Sequence, residues 1–155
     1  MITESADLPA DFAEQEWRKY EGQLPGAIRA LASGTFGPAE WQAVLLHVQA
    51  VWVRHPDFAR DVADQRAGRG EPRPVGDDVQ RLRKQVLPEI RTVTAGARYA
   101  LLRRHRAAHR YLVDDKGFVP LGNEHGNLLG VFFPLSGSLA VLMALPARAP
   151  AALLL

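Results

Sequence analysis

The hydrophobic positions of this chain change their rhythm about two thirds of the way along. Trp41, Leu45, Val48, Trp52 and His55 recur at spacings of 4, 3, 4 and 3, and Val44 and Val51 fill the same arc. That period is the mark of an amphipathic helix burying one stripe. Pro38, in "TFGPAEW", suits the first helical position, where the N–H that proline lacks would be unpaired anyway. Pro56 ends or kinks the helix, because its ring clashes with the preceding turn. "DFARDVADQ" resumes as a short helix. The upstream "PGAIRALASG" reads as another, with Gly34 as its stop.

"RAGRGEPRPVG", residues 66–76, is glycine, proline and charge, and reads as an exposed loop or linker. Asp77 is placed to cap the next helix, along which Val79, Leu82, Val86, Ile90, Val93 and Ala97 run at spacings of 3, 4, 4, 3 and 4. Pro88 interrupts that run at a cost of about 3 kcal/mol, which predicts a kink or two abutting helices. Beyond about residue 105 the pattern turns to β. "HRYLVDDKGFVPLG" places two short runs of β-type residues around Asp-Asp-Lys-Gly, with Gly117 suited to the left-handed position of a hairpin loop. "GVFFPLS" and "SLAVLMAL" read as two further strands, divided by Pro134 to Gly137.

Helices first and strands last predict an α+β fold, a helical N-terminal two-thirds packed with a small antiparallel sheet from the C-terminal third. The expected order is an acidic N-terminal segment over 1–26, helices over 27–65, a loop over 66–76, a long kinked helix over 77–105, β-strands over 106–145 and a tail over 146–155. At 155 residues the chain is one domain by size, long enough to bury about 68–70% of its unfolded surface.

Composition narrows the chemistry. Apolar residues make up 47% of the chain and charged residues 23%, an ordinary globular balance. There is no cysteine, which excludes disulfides, thiolate metal sites and cysteine nucleophiles. The N-terminus lacks a signal-like pattern, and the apolar final stretch is broken by Pro146, Arg148 and Pro150. A cytoplasmic protein with no membrane partner is therefore the expectation. The net charge of +2 conceals an asymmetry: residues 1–26 hold two basic and six acidic side chains, whereas residues 81–110 hold nine basic side chains and a single acid, Glu89.

Three groups of residues are candidates for function. "LGNEHGNLLG" offers Glu124 and His125 as an acid–base pair, with Asn123 nearby. Adjacent residues on a strand point to opposite faces, so the pair cooperates only within an irregular loop. Its glycines and asparagines are also what a tight turn requires, and the turn is the simpler reading. His105 and His109 would share a face if helical, but a zinc site usually takes three or four protein ligands, and the surrounding arginines oppose a dication. No metal and no cofactor is therefore expected. His55, inside its apolar stripe, reads as a hydrogen-bonded helix-end histidine, and His47, on the flank, as solvated. Ser136 and Ser138 lack the Gly-x-Ser-x-Gly turn of a nucleophile elbow.

The basic segment carries the strongest functional signal. Arg98, Arg103, Arg104, Arg106 and Arg110 cluster around "LLRRHRAAHRY". If that stretch is helical, Arg103, Arg106 and Arg110 fall within about 60° of one another, with Tyr111 close by. Such a cluster is the expected footprint of nucleic-acid or polyanion binding. The competing readings are a solvated helix end and an electrostatic partner for the acidic N-terminal segment. Nucleic acid and another protein are the two partner classes left open, beside a hydrolytic or metal-assisted enzyme built on Glu124 and His125 with His105 or His109.

"AIRALASGTFGPAEWQAVLLHVQAVWVRHPDFARDV", "RYLVDDKGFVPLGNEHG" and "FFPLSGSLAVLMALP" together resemble the bacterial domain-of-unknown-function 4238 family. Arg54, Pro56 and Phe58 match the way its central helix ends, and "FFPLS" its late strand. The resemblance covers residues 27 to 146. The family's His-rich N-terminal strand segment and its helices after the late strand have no counterpart here, and Asn123 stands where the family tends to carry an Asp. The chain thus reads as a short or trimmed relative. What the resemblance implies concerns the fold, since the family has no agreed activity.

Overall fold

The computed structural model describes residues 12–55, 57–73, 76–112, 117–125 and 127–146. Among these the elements run α1 (Phe12–Arg18), α2 (Leu24–Ser33), α3 (Pro38–Arg54), α4 (Phe58–Gly68), α5 (Gly76–Gly96), β1 (Arg98–Arg103), β2 (Val119–Gly122), β3 (Leu128–Ser136) and β4 (Leu139–Ala144). The chain is α+β, helices first and a four-stranded antiparallel sheet after them, in the order β1-β4-β3-β2.

The helix ends follow local chemistry. Gly34 adopts φ 76°, and its N–H and that of Thr35 close back on the carbonyls of Leu31 and Ala30, a Schellman ending that satisfies two otherwise orphaned acceptors. Pro38 opens α3 as its first residue, and the Glu40 carboxylate accepts the Gly37 N–H at 2.8 Å. That bond, made to the ionised form, holds the Glu40 carboxyl below its usual range. α3 ends at Arg54 and α4 starts at Phe58; Pro56 itself lies outside the described residues.

The core lies between the helices and one face of the sheet. α3 contributes Val44, Val48 and Trp52, α2 contributes Ala27 and Leu31, and α5 contributes Leu87, Ile90 and Val93. The sheet answers with Val131 and Phe133 from β3 and Leu139, Val141 and Met143 from β4. Trp52, Phe118 and Phe133 meet one another at ring separations of 5.7 to 6.3 Å. Burying a side chain of this size contributes about 1.5–3 kcal/mol. One polar pair is buried with them: Gln49 donates to the Thr94 hydroxyl at 2.8 Å, tying α3 to α5.

Several expectations are corrected. The long helix ends at Gly96, well short of 105, and Arg98–Arg103 is a strand. Tyr99 and Leu101 pack on the core while Ala100 is exposed, a period of two. The basic segment is thus a strand followed by irregular chain over 104–112, not a helix, and the strands begin at Arg98 instead of 106. α5 runs through Pro88 as one 21-residue element, not as two helices. It starts at Gly76, so Asp77 lies inside its first turn and is not the cap. The 66–76 loop is shorter than expected, because α4 extends to Gly68 and α5 starts at Gly76.

Residues 104–112 form no strand, so the predicted pair across Asp-Asp-Lys-Gly does not arise; residues 113–116 and the tail from 147 lie outside the described residues. Gly117 does adopt φ 77°. Pro134 does not divide the last two strands but sits buried within β3. β2 pairs no further than Phe132, and the register of β3 with β4 shifts between Pro134 and Ser136. A strand end next to a bulge is where a sheet tolerates the missing N–H.

Candidate functional site

Asn123, Glu124, His125 and Asn127 belong to the turn between β2 and β3. Gly122 pairs with Leu128, and the Asn123 side-chain oxygen accepts the N–H groups of His125 and Asn127, both at 3.0 Å. That is the work of an Asx turn. Outside the strand alternation, Glu124 and His125 do come together, with Nε2 and Oε1 3.6 Å apart, but the two side chains are 86% and 74% exposed. His105 and His109 lie in irregular, exposed chain, so the helical spacing that would have paired them is lost. Among the described residues, no three His, Asp or Glu side chains gather as a metal site.

The arginines separate by role. Arg103 shares the core-facing side of β1 with Tyr99 and Leu101, and its Nη2 donates to the Leu31 carbonyl at the end of α2, at 3.1 Å. Arg104 donates to the Ala107 carbonyl at 3.2 Å, which shapes the turn that follows the strand. The Arg110 side chain runs along Gly137 in the β3–β4 turn, where a Cβ would meet its Nη1 at 3.5 Å, and the Tyr111 N–H donates to the Gly137 carbonyl. All five arginines are exposed, and Arg103 is the one whose side chain reaches a helix. Ser136 and Ser138 hydrogen-bond within the same turn, Oγ to Oγ at 3.3 Å, and act as local braces.

His47 is not solvated. It packs on Trp17 at a ring separation of 5.0 Å, and burial, aided by the nearby Arg54, pushes its pKa down to about 4. Arg54 is itself stacked over Trp17 and paired with Glu14 at 2.8 Å. His55 stands at the C-terminal end of α3. It is buried edge-on against Phe58 and Phe118, in the apolar core.

Residues not singled out from the sequence form the most distinctive surface. Cross-strand partners share a face, and the partners Val119–Phe132–Leu142–Ala100 lie on the side of the sheet turned away from the helices. Leu121 and Leu102 belong to the same side. Tyr111 covers one end, with its ring edge-on to Phe132 at 5.5 Å. Beyond it the face is open among the described residues: Val119 and Leu121 are 41% and 40% exposed, and Ala100 and Ala144 are exposed as well. A cleft lined by Gly96, Arg98, Ala144, Leu145 and Pro146 continues the open face at the Arg98 end. The signal was present in "LAVLMAL", since an unbroken apolar run belongs to a strand covered on both faces.

No helix among the described residues is long and apolar enough to cross a membrane. The chain matches no protein-family model, and neither a curated protein nor a solved structure is significantly similar to it.

Proposed function

We propose that this chain is a non-catalytic, partner-dependent module whose working surface is the outer face of its sheet. The observation that carries the reading is the apolar patch of exposed Val119, Leu121 and Ala100 around half-buried Leu142, in a sheet whose other face is already filled by helices. Contiguous exposed apolar surface rimmed by polar groups marks interaction sites. Strand addition at the sheet edges is a poorer route. β2 is four residues long and carries Pro120, and β1 carries Arg98 and Arg103, the devices that blunt an edge. The high exposure of Glu124 and His125 speaks against the hydrolytic alternative. Kinship with the domain-of-unknown-function 4238 family remains compatible with this reading and adds no activity to it.

The test is a photo-crosslinking amino acid placed at Leu121, and for comparison at Lys84 on α5, in cells expressing the chain. A discrete adduct from position 121 and none from 84 is expected. Equal or absent adducts from both would remove the reading. A second reading, polyanion binding, is favoured by the exposure of Arg98, Arg104, Arg106 and Arg110. It no longer includes Arg103, which is engaged with α2.

A further inference from the structure

We infer that the partner of the outer sheet face is an amphipathic helix with acidic flanks; this rests on the reading of that face as the working surface. The charge argument comes first. Residues 98–112 carry five arginines and no acid. β1 runs antiparallel to β4, so Arg98 stands at one end of the open face and Arg104 and Arg106 follow the other end of the same strand. All three are exposed. Among the described residues from 97 to 146, Glu124 is the single acid, and it belongs to the hairpin beside β2, the opposite edge of the sheet. An occupant of the apolar row therefore meets positive charge along its β1 flank at both ends.

Charge and shape decide between occupants. The open positions lie along two neighbouring registers across four strands spaced about 4.8 Å apart, a patch on the order of 200 Å². Any occupant of such a patch buries less than the roughly 1,200 Å² at which stable interfaces begin, so area does not separate a helix from a second copy. A two-fold pairing also sets the same patch against itself, so among the described residues from 97 to 146 the arginine-bearing edge has only Glu124 of the second copy as an acid to meet. A helix is about 10 Å across and rises about 1.5 Å per residue, so a dozen residues span the patch lengthwise. Its acidic flank then reaches the arginines. Helices are also what covers a second sheet face in layered folds. The contacts on this chain are Ala100, Leu142, Phe132 and Leu121 for the apolar stripe, and Arg98 with Arg106 for the acidic flank.

The experiment titrates the full chain against two labelled synthetic helical peptides with the same leucine stripe, one flanked by glutamates and the other by lysines, read by fluorescence anisotropy. The glutamate peptide should bind at least about tenfold more tightly, a difference of about 1.4 kcal/mol. Leu121→Glu should abolish binding. An Arg98→Ala/Arg106→Ala variant, altered at exposed positions alone and checked for an unchanged unfolding midpoint, should bring the two peptides to equal affinity. Equal binding of both peptides by the unaltered chain would show apolar adhesion without charge recognition and overturn the inference. So would self-association at micromolar concentration that Leu121→Glu disrupts, which makes a second copy the occupant. Binding of neither peptide, beside a positive crosslink from position 121, would sink the helix while leaving the working surface in place. With no crosslink either, both fail.

Discussion

Arg103 and Leu31, 72 residues apart in sequence, are joined by a hydrogen bond of 3.1 Å from Nη2 to the main-chain carbonyl. The acceptor lies in the last turn of α2, where carbonyls lack helical partners and the helix dipole is negative. One arginine of the basic cluster is thereby a brace between the sheet and a helix. Arg103→Ala should lower unfolding free energy by about 1–2 kcal/mol, the worth of a partly exposed charge-assisted bond. Arg106→Ala should stay within about 0.5 kcal/mol of the unaltered chain, as exposed substitutions do. Denaturant unfolding of the two variants distinguishes brace from surface charge.

Gly130 is required by the close approach of β3 to β4. A Cβ on it would lie 2.6 Å from the Met143 carbonyl oxygen, and backbone cannot yield cheaply there. Gly130→Ala should destabilise by about 1–3 kcal/mol, the usual range for overpacking. Gly68→Ala makes a control, because its Cβ meets nothing within 4 Å. Thermal midpoints measured side by side should fall for the first and hold or rise slightly for the second.

The helical half of the fold was legible because one signal dominated it. The stripe of Val44, Val48 and Trp52 is buried, and Gly34 and Pro38 punctuate it where the residue types require. The segment from Val93 to Arg103 misled because two periods overlap in it: Val93, Ala97 and Leu101 keep a helical spacing, while Tyr99 and Leu101 keep a strand spacing. Gly96 ended the helix, and the gain from placing Tyr99 and Leu101 on the core favoured the strand. Pro134 misled because its tolerance depends on where β2 stops, a property of pairing that the local residues do not carry. The open face went unseen for a related reason. Which side of an apolar strand is covered depends on the number of helices available.

His47 should make stability depend on pH. In the folded chain burial pushes its pKa down to about 4, while in the unfolded chain it sits near 6.5. Between those values the unfolded state binds a proton that the folded state refuses, so stability falls as pH drops through this window. The loss should approach about 3 kcal/mol once the pH is below both values, given about 1.4 kcal/mol per unit. His47→Leu, which keeps an apolar group against Trp17, should flatten the dependence between pH 6.5 and 4. An equal slope in the variant would place the effect on other groups.

The Gln49–Thr94 bond is a buried polar contact between α3 and α5. Thr94→Val leaves the Gln49 amide buried without the acceptor it reaches at 2.8 Å, and this should cost about 1–3 kcal/mol. Gln49→Leu combined with Thr94→Val removes both halves of the pair. The double variant should recover part of that loss, giving a coupling of about 0.5–3 kcal/mol between the two sites. Additive losses in the cycle would mean that each group is held by other contacts.

Polyanion binding makes a prediction of its own that the brace at Arg103 renders clean. The other four arginines, Arg98, Arg104, Arg106 and Arg110, can be changed to alanine together while Arg103 stays on the Leu31 carbonyl. If they neutralise phosphates on labelled RNA or DNA, the logarithm of affinity falls linearly with the logarithm of salt concentration. The slope is about −0.9 per phosphate on duplex DNA and about −0.7 on single strands. Four contacts then give a slope of about −3 to −4, and the quadruple variant should lose both the slope and the binding. Arg103→Ala, by contrast, should weaken folding and leave the slope of the folded fraction unchanged. A slope near zero in the unaltered chain at low salt would leave the arginine segment as the charged rim of the sheet face alone.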